Sequence, residues 1–178
     1  MLVKKLNKEL VLNSIEKYPG LRFFEIKKQT GLVNGVLQHH LHRHEILKNI
    51  KIEYDHSTPR FYPIDLDAKT SILLKRLRQN TTSKIIKLLV KNECCTFGQM
   101  VKYIKKSPGT ISIYKNKLLS DGIILGNTNE CENCLESYNK IKYRLTNSEH
   151  TKLVINEYGK NSLRKSVDNL SDVFLALR

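Results

Sequence analysis

The chain has 178 residues, with 31 lysines and arginines against 17 aspartates and glutamates, so its formal net charge is +14. This length allows one sizeable core or two small ones. The charge favours a polyanionic partner, and nucleic acid is the first candidate. Residues 1–79 have 15 basic and 8 acidic side chains, and residues 80–178 have 16 and 9, so each part carries +7. The excess is therefore not a basic tail on a neutral domain.

Membrane proteins, secreted scaffolds and enzymes are all disfavoured by the sequence. It has no apolar run of about 18 residues and no signal-peptide pattern at Met1–Ile15. Four cysteines without a secretion signal argue against a disulfide scaffold. No glycine-rich phosphate loop, carboxylate pair or serine or cysteine nucleophile pattern stands out. We therefore expect a cytoplasmic protein that is not an enzyme, with no membrane partner and no small-molecule substrate.

The first 67 residues predict three helices followed by a β-hairpin. Apolar spacing indicates a first helix that stops at Pro19-Gly20, a second over Phe23–Thr30, and a third after Gly31. The apolar positions of the first helix are Leu6, Leu10, Val11 and Ile15. Alternation in Lys48–Tyr54, a proline turn and Arg60-Phe61-Tyr62 predict the hairpin. This order of elements is typical of a winged helix.

The third of these helices is the candidate recognition helix. We expect Gly31 to take the positive φ that ends the preceding helix, Asn34 to cap the next, and Gly35 to permit a close helix crossing. The inward positions are Leu37, Leu41 and His44, and the outward positions are Asn34, Gln38, His39, His42 and Arg43. Amides and guanidinium groups read base edges in the major groove, so the outward face predicts DNA contact. A polar face that only meets solvent is the alternative.

The same pattern begins again after residue 82. We expect a winged-helix domain over 1–67, a linker helix over 68–82 capped by Asp67, a second winged-helix domain over 83–146, and C-terminal helices over 147–178. In the second domain Thr96 caps one helix, and Ser107-Pro108 opens the next. The outward positions of that helix are Thr110, Ser112, Ile113, Asn116 and Lys117. For them, DNA contact and a structural role both remain open.

The two hairpin tips predict different partners. His56 near the first tip and Arg60 beside its proline turn suit contact with phosphate or the minor groove. The second tip is acidic, with Glu130, Glu132 and Glu136, and phosphates would repel it. Protein or metal is the more plausible partner there.

Cys131 and Cys134 in the second hairpin have the spacing of half a zinc site. Zinc is the one cofactor that the sequence suggests, and a redox-responsive pair and unreactive cysteines are the alternatives. Cys94 and Cys95 are adjacent, which seldom suits one tetrahedral ion. The histidines of the third helix include an i, i+4 pair that could hold a metal, but hydrogen bonding outward and packing inward is the favoured use.

The C-terminal region predicts a dimerisation helix. A capping box at Thr146-x-x-Glu149 opens a helix that Gly159 ends. The last helix carries apolar residues at alternating four- and three-residue steps, namely Leu163, Val167, Leu170, Phe174 and Leu177. Such a heptad seam packs on its own chain or on a partner, and we expect a homodimer.

Three stretches resemble the tandem winged helix-turn-helix transcriptional regulators common in archaea, of the broad ArsR/MarR-like kind. They are GLRFFEIKKQTGLVNGVLQHHL (20–41), TPRFYP (58–63) and YRLTNSEHTKLVINEYGKNSLRKSVDNLSDVFLAL (143–177). The resemblance implies two winged domains, DNA binding by the third helix of at least one of them, and dimers. Two features depart from the family: His44 replaces the usual leucine, and the second hairpin is long and contains Cys-x-x-Cys.

Taken together, these patterns predict a mainly α protein with small β-hairpins, of the α+β class. The expected function is that of a sequence-specific regulator of transcription that binds double-stranded DNA, with the C-terminal helix setting the half-site spacing. An adaptor of the transcription or replication machinery that binds mainly protein is the alternative.

Overall fold

A computed structural model describes residues 2–55, 57–127 and 141–159 of the chain. It is mainly helical with small antiparallel hairpins, which confirms the predicted α+β class. The chain divides into two compact units between Lys75 and Arg76, which we call unit 1 and unit 2. Within the described residues, no helix combines the length and the apolar character needed to cross a membrane.

Unit 1 has three helices followed by an antiparallel hairpin and the start of a fourth helix. These elements are α1 (Leu2–Lys17), α2 (Phe23–Thr30), α3 (Asn34–Ile46), β1 (Ile50–Asp55), β2 (Thr58–Pro63) and α4 (Ala68–Leu77). The hairpin pairs Ile50 with Pro63 at its base and Asp55 with Thr58 near its tip. Leu21, in the extended piece between α1 and α2, forms an isolated antiparallel bridge with Phe61. The first two helices and the hairpin are therefore tied together through β2.

The core of unit 1 draws on all three helices and the hairpin. Its buried apolar members are Val11, Ile15, Leu21, Ile26, Leu37, Leu41, Ile50 and Phe61. Leu6 and Leu10, by contrast, are 64% and 39% exposed. Only two of the four apolar positions predicted for α1 therefore face inward. With 3.6 residues per turn, Leu6 and Leu10 lie on a different side of the helix from Val11 and Ile15.

Two glycines of unit 1 fix turns that a side chain would disturb. Gly31 ends α2 at φ 68°, and its N–H donates to the Lys27 carbonyl at 2.8 Å, as the sequence predicts. Gly20 has φ 83°, and a β-carbon there would lie 2.9 Å from the Tyr62 ring. Its N–H donates to the Phe61 carbonyl at 2.7 Å, which secures the end of α1 against β2.

Two predictions about the start of α3 are wrong. The N-cap residue is Val33, which has no side-chain cap, and Asn34 is the first residue of the helix. Gly35 faces open space, since a β-carbon there would have no neighbour within 4 Å. The spacing of small and polar residues indicated the helix correctly but did not fix the register of its first turn.

Unit 2 repeats the order of elements in unit 1. It contains α5 (Asn80–Asn92), β3 (Cys94–Thr96), α6 (Phe97–Ile104), α7 (Pro108–Ser120), β4 (Ile124–Asn127), β5 (Lys142–Leu145) and α8 (Ser148–Gly159). The strands form an antiparallel sheet in the order β3-β5-β4. The extended piece after the first helix of the unit pairs with the last hairpin strand, as Leu21 does with Phe61 in unit 1.

Side-chain N-caps begin four of the later helices, namely α4, α6, α7 and α8. Thr96 caps α6 in a reciprocal box with Gln99, the Ser107 hydroxyl accepts from the Thr110 N–H at 3.3 Å, and Asp67 Oδ1 accepts from the Thr70 N–H at 2.8 Å. These three caps match the predictions. At α8 the cap is Asn147, whose Oδ1 accepts from the His150 N–H at 2.8 Å. The predicted cap at Thr146 was therefore one residue early.

The core of unit 2 lies between its helices and its three-stranded sheet. Its fully or almost fully buried apolar side chains include Ile85, Ile86, Leu89, Met100, Ile111, Leu118, Ile124 and Ile155. The Arg76 guanidinium donates to the Asp121 carboxylate, which ties the end of α4 to the end of α7. His56, the cysteine pair Cys131 and Cys134, and the whole predicted seam lie outside the described residues.

Candidate nucleic-acid interface

The inner face of α3 holds the helix against the rest of unit 1. Leu37 and Leu41 are buried as predicted, and His44 is fully buried. The His44 Nε2–H donates to the Lys8 carbonyl at 2.9 Å, while Nδ1 accepts from the Asn49 side-chain amide at 3.1 Å. Both contacts require a neutral ring with its proton on Nε2. Burial lowers the pKa of His44, which agrees with that state.

His40 is a fourth inward residue of α3, which the sequence analysis did not assign to the buried face. It is 4% exposed, and its Nδ1 has no hydrogen-bond partner among the described residues. Burial first, and then the neighbouring His39 and His44, lower the pKa of His40. His40 and His44 are the i, i+4 pair considered for metal binding. No group of three or more potential ligands that could hold a metal ion occurs in the described part of the chain.

The outer face of α3 is exposed and polar. Four consecutive-turn residues, Gln38, His39, His42 and Arg43, all lie at the surface, and Asn34 is exposed at the start of the helix. His42 Nδ1 lies 3.8 Å from a Glu45 carboxylate oxygen. The arrangement presents an amide, a guanidinium group and two imidazoles on one side of a helix whose opposite side is buried. Such a face can donate and accept hydrogen bonds in a groove 12 Å wide, such as the major groove of DNA.

Arg60 is not on the surface of the first hairpin, and the prediction that it contacts phosphate is wrong. It is 2% exposed, and its Nη1 donates to the Gly20 carbonyl at 2.8 Å. Its Nη2 lies 3.5 Å from Asp55 Oδ2. Burial lowers the pKa of the Arg60 guanidinium, and Asp55 opposes that effect. Strand alternation places Arg60 on the same side of β2 as Tyr62, which is fully buried, so the arginine is enclosed with it.

The outer face of α7 differs from that of α3 because its predicted contact residues include a large, exposed apolar side chain. Ile113 is 58% exposed, Asn116 is exposed, and Ser112 is partly buried. Thr110 is used locally, since its hydroxyl lies 2.8 Å from the Ser107 hydroxyl. Lys117 lies over the Tyr114 ring, with Nζ 5.5 Å from the ring centroid. These contacts fit a helix that offers charge and a small apolar patch more than base-reading groups.

Three further lysines beside α7 were not among the predicted site residues. Lys102, Lys105 and Lys106 are all exposed, and they occupy the end of α6 and the turn before α7. Residues 97–120 contain five lysines and no aspartate or glutamate. That composition is the signal by which the sequence alone could have indicated the cluster. The prediction considered only the outward positions of the third helix and so missed the turn.

The two described cysteines of unit 2, Cys94 and Cys95, do not belong to a metal site among the described residues. Cys94 is disulfide-bonded, so its sulfur is not a zinc ligand in this structure. A disulfide at Cys94 was not among the predictions from the sequence. Cys94 and Cys95 are both buried, in β3.

A scan of protein-family models and a search of curated proteins find no match for this chain.

Proposed function

We propose that this protein is a sequence-specific regulator of transcription that binds double-stranded DNA, and that each unit is a winged-helix domain of the ArsR/MarR-like kind. The repeated order of three helices and an antiparallel hairpin supports this proposal. So does the formal charge of +14, which suits a polyanionic partner. One fold can host many functions, so the side chains exposed on α3 are what distinguish a DNA-binding role from others.

The exposed outer face of α3 carries the proposal. Gln38 suits bidentate pairing with adenine and Arg43 suits guanine, while His39 and His42 can bond to either base edges or phosphates. The helix is held from beneath by buried Leu37 and Leu41 and by the two hydrogen bonds of His44. A rigid inner face and a polar outer face are what a helix needs if it is to enter the major groove without losing its own support.

The regulator would act as a homodimer in the cytoplasm. This part of the proposal rests on the sequence of the C-terminal seam, from Leu163 to Leu177, which lies outside the described residues. A two-fold axis through that helix would place two α3 helices on two half-sites and fix the spacing between them.

The proposal is tested by selecting bound duplexes from a random double-stranded library with the full chain. Enrichment of one motif with two half-sites is the expected result. The enriched duplex should bind at least about 10³-fold more tightly than a scrambled duplex at the same salt concentration, since specific binding typically exceeds non-specific binding by that much. Equal recovery of all sequences would exclude sequence-specific recognition.

An adaptor that binds mainly protein is the second candidate. Exposed apolar side chains favour it, because Phe24 is 73% exposed and Ile46 is 65% exposed in unit 1. Genomic footprinting distinguishes the two functions. A regulator should occupy sites that share a motif, whereas an adaptor should follow the polymerase irrespective of local sequence.

A further inference from the structure

The helix-turn-helix segments of the two units differ sharply in charge. In residues 97–120, which span α6 and α7, there are five lysines and no acidic residue. In residues 23–46, which span α2 and α3, Lys27, Lys28 and Arg43 are offset by Glu25 and Glu45. The segment of unit 2 thus has a net charge of +5, and the segment of unit 1 has a net charge of +1. The two segments have the same order of elements but different net charges. We therefore expect their surfaces to suit different parts of a ligand.

Among the described residues, no carboxylate neutralises the exposed lysines of this segment. Within the described residues, none of the ammonium groups of Lys102, Lys105 and Lys106 lies within 4.0 Å of a carboxylate oxygen. Their counterions therefore come from solution. Release of such ions when phosphates replace them is the main source of sequence-independent DNA affinity. We call these three residues the lysine surface.

Lys105 occupies a position where glycine would be the less strained residue. It ends α6 at φ 56°, and its N–H donates to the Val101 carbonyl at 3.0 Å. Gly31 has the same role at the end of α2, at φ 68°. A residue with a β-carbon is disfavoured in this left-handed conformation. At this position unit 2 has a lysine, whereas unit 1 has the unstrained glycine. Lys48 and Glu93 also have positive φ, so this conformation is not peculiar to a cation, and Lys105 belongs to the lysine surface because its charge is exposed.

The remaining lysines of the segment are held by aromatic rings. Lys115 Nζ lies 5.1 Å from the Tyr143 ring centroid, 5.9 Å from that of Phe97, and 3.3 Å from the Tyr143 hydroxyl. Gly126 accommodates the same ring, since a β-carbon there would lie 3.1 Å from it. Lys115 is therefore a partly buried structural cation. It is not counted among the residues that meet a ligand.

We propose that the lysine surface binds the phosphodiester backbone of double-stranded DNA irrespective of base sequence, so that unit 1 selects the site and unit 2 supplies much of the salt-dependent affinity. This inference rests on the proposed function. Ser107, which directly follows Lys106, carries a hydroxyl group, and such groups commonly bond to phosphate oxygens. An anionic membrane is the competing polyanion. It would call for a wide apolar face beside the charges, whereas α6 and α7 expose two large apolar side chains, Tyr103 and Ile113.

The test compares two triple variants of the full chain that lose the same charge. One carries Lys102→Gln, Lys105→Gln and Lys106→Gln. The other carries Lys84→Gln, Lys91→Gln and Lys152→Gln, three exposed lysines on α5 and α8. Affinities for the selected duplex and for a scrambled duplex are measured from about 50 to 200 mM salt. With about 0.9 ions released per phosphate contact, wild type should lose about 40-fold more affinity over this range than the first variant.

The first variant should weaken both duplexes by a similar factor, and the second should keep the wild-type salt slope. Equal slopes for the two variants, or a change of sequence preference in the first, would overturn the inference while leaving the proposed function intact. Wild type that binds neither duplex would instead overturn the proposed function. Lysine-dependent binding to phosphatidylserine–phosphatidylcholine vesicles, with duplex binding unaffected, would assign the surface to membranes.

Lys105→Gly separates binding from folding. Because glycine relieves the left-handed backbone at this position, the variant should melt at or above the wild-type temperature, as followed by circular dichroism. It should nevertheless bind both duplexes more weakly and reduce the salt slope by about 0.9. Unchanged duplex affinity in a folded Lys105→Gly protein would contradict the role given to this residue.

Discussion

Unit 1 and unit 2 arrange their elements alike but expose different chemistry on their third helices. On α3 the outer face offers Gln38, Arg43 and two histidines, and the surrounding segment is almost neutral. On α7 it offers Ile113 and Asn116, and the surrounding segment carries only positive charge. Side chains that form hydrogen bonds in fixed directions can distinguish bases, whereas lysines mainly attract phosphates. A repeated fold therefore does not imply a repeated role.

The hairpins differ in a second way. Arg60 in β2 is buried beside Asp55, and Phe61 and Tyr62 next to it are buried as well. In β5 burial alternates, so that Arg144 is exposed between buried Tyr143 and Leu145. The middle of β2 is thus buried on both sides, whereas β5 has one exposed side. An arginine in the last strand of a hairpin supports the fold in one unit and faces solvent in the other.

The largest expected effect is that of salt on the binding of the whole chain. If both units meet phosphates, six or more contacts should lower the affinity by about 10³-fold or more between 50 and 200 mM salt. Titration of a labelled duplex at several salt concentrations measures this slope. Gln38→Ala should leave the slope unchanged, because an amide displaces no counterion. A flat wild-type response would remove DNA from the hypothesis and with it the division of roles between the units.

The buried arginine of unit 1 predicts a large stability difference between the two hairpins. Arg60→Ala should destabilise unit 1 by about 3–5 kcal/mol, because it leaves the Asp55 carboxylate buried without its nearest guanidinium group. Arg144→Ala, in the exposed position of β5, should cost less than about 1 kcal/mol. Hydrogen exchange of residues 1–75 and 76–178, measured separately by mass spectrometry of the full chain, reports each value.

Arg22→Ala is the matched control within unit 1. The Arg22 guanidinium lies 3.8 Å from the same Asp55 oxygen, but its side chain is 45% exposed. Solvent screens such a pair, so we expect a cost below about 1 kcal/mol. If Arg22→Ala and Arg60→Ala destabilise unit 1 equally, burial does not govern the contribution of this ion pair.

Much of the fold could be predicted from the sequence because its signals are local. Apolar spacing indicated the helices, and the caps at Asp67, Thr96 and Ser107 and the left-handed end at Gly31 each depend on residues within one turn. The α+β class follows from these short-range features. The N-caps of α3 and α8 were each predicted one residue away from the observed position. Neighbouring residues can each act as an N-cap, and the tertiary contacts of the first turn decide between them.

The errors at the candidate site have long-range causes. Buried Arg60 donates a hydrogen bond to the Gly20 carbonyl, which is 40 residues earlier in the chain. The pattern of residues within β2 cannot predict such a contact. His40 is buried because α3 packs on α1 through a wide stripe that includes positions 37, 40, 41 and 44. The lysine surface was visible in composition, but the prediction looked for outward residues on a helix and not for a turn.

The assignment of base reading to unit 1 is tested by substitutions of intermediate effect. Gln38→Ala or Arg43→Ala should each lower the affinity for the selected duplex about 5- to 150-fold, since a bidentate base contact contributes about 1–3 kcal/mol of discrimination. Binding to a scrambled duplex should change much less. Lys117→Ala should weaken both duplexes alike. All variants are compared at one salt concentration after their folding is verified.

Two exposed residues of unit 1 provide controls for these changes. Asn13→Ala removes an amide and Lys69→Ala removes a charge, both outside α3. Neither should alter the ratio of the two affinities. If Lys117→Ala changes sequence preference while Gln38→Ala and Arg43→Ala do not, unit 2 is the reader and the comparison is reversed.

The smallest expected effect is a pH dependence of unit 1 that unit 2 does not share. Burial lowers the pKa values of His40 and His44 from the ordinary 6.5. The neighbouring His39 and His44 lower that of His40 further, and Lys8, Arg43 and, for His44, Glu16 also act on the two rings. The folded state therefore binds these protons less readily than the unfolded state does. The free energy of unfolding of unit 1 should have its full value above pH 6.5. It should fall as the pH drops from there through the lowered pKa values.

Within that window each histidine should contribute a loss of up to about 1.4 kcal/mol per pH unit. A proton on His44 Nδ1 would also oppose the Asn49 amide that donates to it. Hydrogen exchange of residues 1–75 between pH 7.5 and 5 should show this loss, and His40→Leu should reduce the pH dependence. Equal pH dependence in wild type and His40→Leu would mean that His40 keeps its proton when buried, and that the inner face of α3 tolerates charge.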